Sequence, residues 1–296
     1  MKVIKDVLKK YEIKPKNYRS SGKVSIIDTN KGTFVVKKKN NQKKLYDYLD
    51  TRSFNYYPNV IDRNNDEYEI TEYVNEIEIP DEQKLIDMIK LVSLLHNKTT
   101  YYKEVSEDYF KEIYEDIKNN IEHLNSYYND IITNIETKIY MSPSEYLFAR
   151  NVSELFNSLG YTESKLEEWY NLVKEQNKVR FVVLHNNLDL SHFIMSNKPY
   201  LINWDKSKID MPLFDIYKLY KRVNNKFDFE PYLKIYEANY PLRNEERLLL
   251  FILIALPDKI ELKDNEYEMC TQINNLYENI FRTETLISKY TKKEEK

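Results

Sequence analysis

Three short stretches hold most of the residues that could do chemistry. They are His185-Asn186-Asn187-Leu188-Asp189-Leu190-Ser191-His192, then Asn203-Trp204-Asp205, then Pro212-Leu213-Phe214-Asp215. Asp189 and Asp205 are carboxylates able to accept a proton or hold a hard cation. His185 and His192, seven residues apart with no cysteine nearby, give a weak zinc pattern, and that reading stays open. A serine hydrolase built on Ser191 is set aside, because a nucleophile elbow needs flanking glycines and none is there. The chain has 3 Gly in all, which also excludes a glycine-rich cradle for phosphate.

The elements that would position these residues follow from pattern. Phe181-Val182-Val183-Leu184 and Tyr200-Leu201-Ile202 are short apolar runs that bracket the polar loop. Upstream, Leu85 to Leu95 has helical spacing and ends near His96. Val105 to Ile135 reads as one or two long helices, and Ser142-Pro143-Ser144-Glu145 as a helix start, followed by helices near 143–158 and 163–176. Leu213 to Tyr220 opens a further helical series, in which Leu248 to Leu256 is a buried helix, too short for the ~20 residues of a bilayer crossing.

The first 75 residues differ. A helix is expected over Val3 to Tyr11, then strands over Lys23 to Asp28 and Thr33 to Lys38 joined by a turn at Thr29-Asn30-Lys31-Gly32. A short helix from Gln42 to Leu49 precedes strands at Val60-Ile61 and Tyr68 to Val74.

The chain has 296 residues, 42% of them hydrophobic and 31% charged, enough for a large core. Its 45 basic against 48 acidic residues argue against a nucleic-acid partner bound by phosphate neutralisation. The one cysteine, Cys270, and a charged N-terminus with no secretory signal fit a cytoplasmic setting without a membrane span. The 27 Tyr, with abundant Lys, Asn and Ile, follow from AT-rich coding.

The order and spacing of the loop residues resemble the aminoglycoside and choline phosphotransferase branch of the protein-kinase-like fold, and within it the kinase-like proteins of bacterial spore coats. That family's loop reads His-Gly-Asp-Leu-His-x-x-Asn-Ile and is followed by Ile-Asp-Trp. His185 matches. The loop base falls on Asn187, the loop metal ligand on His192 and the second metal ligand on Asn203, so all three catalytic positions depart. An amide cannot take a proton, which forfeits about 10²–10⁴ in rate, and Asn203 and His192 suit magnesium poorly. The resemblance assigns structural roles to His185, Trp204 and Asp215.

It further implies an α+β, two-lobed fold, with a small antiparallel-sheet N-lobe over 1–75 and a helical C-lobe over 76–296. Lys37, in Gly32-Thr33-Phe34-Val35-Val36-Lys37, stands where an ATP-binding lysine would be; alternation places Val35 with it on one face. Asp47 is the acidic residue available in the following helix. Ser20-Ser21-Gly22 stands in place of a phosphate-covering loop, and Glu72 and Val74 belong to the hinge that would hold a nucleotide base. Tyr101, Tyr102, Tyr109, Tyr114, Tyr127, Tyr128 and Tyr140 either line a pocket for a cationic ligand or pack helix against helix.

The function expected is that of a pseudokinase acting as a binding or scaffold protein with a protein partner, associated with sporulation in the forespore or spore coat, and needing no cofactor. One alternative is an ATP- and magnesium-dependent phosphotransferase that uses Asp189 or Asp205 in place of the lost groups. The other is a metal-independent nucleotide sensor.

Overall fold

The computed structural model describes residues 14–21, 24–38, 44–63 and 67–294. The helix expected at Val3–Tyr11, and Gly22, lie outside them. In chain order come β1 (Pro15–Ser21), β2 (Val24–Thr29), β3 (Gly32–Lys38), α1 (Leu45–Thr51), β4 (Tyr68–Glu72), α2 (Asp81–Thr99), β5 (Tyr101–Glu104), α3 (Tyr109–Glu136) and α4 (Pro143–Val173). These are followed by β6 (Lys178–Leu184), β7 (Phe193–Met195), β8 (Pro199–Leu201), β9 (Lys208–Asp210), α5 (Leu213–Val223), α6 (Glu230–Asn239), α7 (Asn244–Ala255) and α8 (Glu266–Glu294). The protein is α+β. The described residues up to Thr99 join with Val183–Ile209 in one compact unit, and Thr100–Val182 join with the chain from Asp210 in a second.

In the first unit β1 to β4 form an antiparallel sheet in sequence order. The β2–β3 turn pairs Thr29 with Gly32, and the Thr29 hydroxyl caps it by donating to the Gly32 carbonyl at 2.7 Å. Gly32 has φ +121°, a conformation that a side chain would strain. Ile27, Phe34, Val36 and Ile70 form the buried face of the sheet, packed by Ile61 and Tyr68. β1 was not apparent from pattern, because its PKNYRSS is polar and exposed along an outer edge. It contains Ser20 and Ser21, which pair with Ser25 and Val24. The strand expected at Val60-Ile61 reduces to one bridge, Val60 to Thr71, because the chain turns away at Arg63, whose guanidinium binds Asp47 and Asp50 of α1 at 2.7 and 2.8 Å. α2 packs its buried Leu85, Met88, Ile89, Val92 and Leu95 beneath the β7–β8 hairpin.

The second unit is mainly helical. β5 pairs with β6, Tyr101 opposite Phe181. α4 starts at a capping box: the Glu145 N–H donates to the Ser142 hydroxyl, and the Ser142 N–H donates to the Glu145 carboxylate at 2.8 Å. Two helices were expected here, yet α4 runs unbroken through Gly160. A helical glycine costs about 1 kcal/mol, less than the burial of Leu159 and Leu166 on either side at about 1.5–3 kcal/mol each. α7 contains the buried apolar run.

The tyrosines of this unit do not share one lining. Tyr128 is fully buried and donates to the Asp258 carbonyl, Tyr127 donates to the Ile260 carbonyl, and Tyr114 stacks on Tyr170. Tyr109 packs edge-on to Phe181, while Tyr102 and Tyr140 are exposed. Among the described residues no helix is long and apolar enough to cross a membrane.

Candidate ligand-binding cleft

A cavity of about 1040 Å³ opens within the first unit, walled by the solvent face of β3, the end of β4 and the loops around β7 and β8. Strand alternation sorts β3. Phe34 and Val36 enter the core, and Val35 and Lys37 face the cavity. Lys37 sits opposite Glu69 in the β3–β4 register, and its ammonium lies 3.3 Å from the Glu69 carboxylate and 2.9 Å from that of Asp205. One lysine is therefore clasped by two carboxylates. Asp47, the acidic residue available in the expected helix, binds Arg63. Glu69 was the residue missed; the signal available for it is the opposite-charge cross-strand pair it forms with Lys37.

Glu69 is fixed by a further contact, the Tyr46 phenol donating to it at 3.1 Å. Burial first, and then the Glu69 carboxylate, push that phenol well above its ordinary pKa, so it stays a donor. Glu72 and Val74 also wall the cavity, where the Tyr73 N–H between them donates to the Thr33 carbonyl at 2.9 Å.

The polar loop is held from beneath. His185, fully buried, donates from Nε2 to the Ile202 carbonyl at 2.9 Å, and Trp204 donates to the Leu201 carbonyl at 2.8 Å while packing edge-on to His185 and Phe54. Asn186 and Asn203 have φ of +59° and +64°, the left-handed region that asparagine enters more readily than other side-chain-bearing residues. Asn186 stands where the resembling loop has glycine, so the backbone path is kept with a different residue.

β7 and β8 pair Phe193 with Leu201, and the Ile202 N–H donates to the His192 carbonyl, which carries His192 and Asn203 toward each other. His192 Nδ1 lies 2.7 Å from the Asn187 carbonyl, which can only accept, so Nδ1 carries the proton. Nε2 then offers its lone pair to the Asn203 amide at 2.9 Å. The two positions that match metal ligands in the resemblance are thus bonded directly to each other. Magnesium does not fit this pair, which is neutral and has already used the imidazole lone pair. Among the described residues no group of three His, Cys, Asp or Glu side chains is arranged to hold a metal ion.

The cavity therefore brings together Lys37, Glu72, Val74, Asn187, His192, Asn203 and Asp205, with Trp204 behind them. His185 and Asp189 are not among its walls. Asp189 caps the Leu190–His192 turn, accepting from the Ser191 N–H at 2.9 Å and from the Ser191 hydroxyl at 2.6 Å. Asp215 lies in the second unit, fully buried in the first turn of α5.

No protein-family model matches the chain, and no curated protein matches it in sequence. Solved structures do match. The aminoglycoside phosphotransferase of Alicyclobacillus acidocaldarius superposes with a TM-score of 0.69 at 9% identity, over 94% of this chain and 92% of that one. The AMP-bound spectinomycin phosphotransferase APH(9)-Ia gives 0.53 at 12% identity, over 99% and 94%, and LicA in complex with AMP gives 0.50 at 16%, over 97% and 96%. The fold is that of the kinase-like phosphotransferases.

Proposed function

We propose that this chain is a catalytically degenerate kinase-like protein, a binding or scaffold protein whose cleft takes a nucleoside-type ligand without a metal ion. The carrying observation is the His192–Asn203 hydrogen bond, made at 2.9 Å between the two positions where the resembling enzymes hold metal. Asn187 adds to it, since an amide supplies no general base. A nucleoside-type ligand is supported by the cavity beside Glu72 and Val74, and by the AMP held in two of the similar structures.

The test is thermal unfolding with adenosine in EDTA and again with magnesium, because a ligand of the native state raises its stability by RT ln(1 + [L]/Kd). Equal stabilisation in the two buffers is expected. Stabilisation only with magnesium, or phosphate transfer from ATP to any acceptor, overturns the reading.

Asp205 favours a second reading, an ATP-dependent phosphotransferase, because its carboxylate faces the cavity. That reading requires turnover that Asp205→Asn abolishes. The sporulation and spore-coat association extends the loop resemblance, and absence of the transcript from sporulating cells removes it.

A further inference from the structure

The charges in the cleft narrow its ligand. Among the described residues Lys37 is the one cation at its inner wall, and it is flanked there by Asp205 at 2.9 Å and Glu69 at 3.3 Å, with side chains 16%, 28% and 10% exposed respectively. These three side chains together carry a net negative charge. Toward solvent, the exposed Lys38 and Lys206 are balanced by Glu72 and Glu76. A divalent cation would reverse the sign of the inner wall, but the residues placed for one are bonded to each other.

From this we infer that the cleft selects against polyphosphates and takes an uncharged nucleoside-like ligand, resting on the reading of the cavity as a nucleoside site. A triphosphate that engages Lys37 must share its ammonium with Asp205 and Glu69. Two carboxylates would then face the polyanion at short range, in a recess where salt and water screen less than at the surface. An uncharged ligand leaves the Lys37–Asp205 pair intact. Without a metal ion the recess thus meets a triphosphate with one cation that two carboxylates already contact.

The experiment measures affinity for adenosine, AMP and ATP by calorimetry in EDTA. Affinity is expected to fall with each added phosphate, with ATP at least roughly tenfold weaker than adenosine. Asp205→Asn is expected to narrow that ratio by roughly tenfold or more. A second measurement needs no variant. Raising salt from about 0.02 to about 0.3 M screens repulsion, so ATP binding by the wild type should strengthen, whereas a cationic phosphate site would weaken. ATP binding more tightly than adenosine, or weakening with salt, overturns this inference and leaves the nucleoside reading standing. Failure of all three ligands to bind overturns the nucleoside reading and this inference with it.

Discussion

Two ion pairs of similar chemistry behave differently in the two units. In the second, Arg180 and Glu246 are side by side at 9% and 5% side-chain exposure, with Arg180 Nε donating to Glu246 at 2.9 Å, its Nη2 also donating to the Pro241 carbonyl, and its guanidinium stacked over Tyr240. The Arg243 N–H donates to the same carboxylate. In the first, Lys37 has its two carboxylates on the wall of a cavity, open to whatever enters. A pair enclosed and further hydrogen-bonded by the surrounding chain ties strand β6 to helix α7. A pair beside a cavity can exchange partners with a ligand.

The sharpest way to break this contrast is Arg180→Met. It leaves Glu246 charged and buried, and urea titration should show a loss of about 3–5 kcal/mol, with part restored by Glu246→Leu in the same chain. Lys37→Met should cost less, about 1–3 kcal/mol, since water in the cavity can solvate Glu69 and Asp205. Equal losses at the two sites would mean that Lys37 is a structural pair and not an exchangeable one.

Much of this architecture was legible in the chain, and the gaps have physical causes. The β2–β3 hairpin showed because turn residues and alternation coincide at Thr29 to Gly32, and the start of α4 because Ser142, Pro143 and Glu145 each favour it. Asn187, His192 and Asn203 could be matched to the loop pattern by order alone. Their bonding could not, because it depends on the β7–β8 register that brings residues 192 and 203 together. Glu69 was hidden for a similar reason: its role comes from a cross-strand position and not from a motif. Asp189 read as a spare carboxylate, but in the fold its first duty is to cap a turn.

Effects no larger than that of Lys37→Met sharpen the comparison from the helical side. Tyr128→Phe removes a buried hydroxyl that donates to the Asp258 carbonyl and accepts from the Ile260 N–H at 3.2 Å, and should cost about 1–3 kcal/mol by the same titration. Smaller still is the acid response of the α4 cap. Lys138, followed by the Ser142 N–H, holds the Glu145 carboxyl below its ordinary value. Its contribution is therefore complete above the usual carboxylate range of about pH 4.3 and is lost as pH falls through the depressed value. Glu145→Gln should flatten that part of the stability–pH curve while leaving stability below the depressed value little changed.

The central claim is that the cleft works without a metal ion because His192 and Asn203 bind each other. Its most direct test is the rise in melting temperature induced by adenosine and, separately, by ATP for the wild type and for an Asn187→Asp, His192→Asn, Asn203→Asp variant, each in EDTA and in magnesium. The account predicts that the wild type responds equally in the two buffers, and that only the variant gains a magnesium-dependent response to ATP. A wild-type response that vanishes in EDTA and returns with magnesium would contradict it.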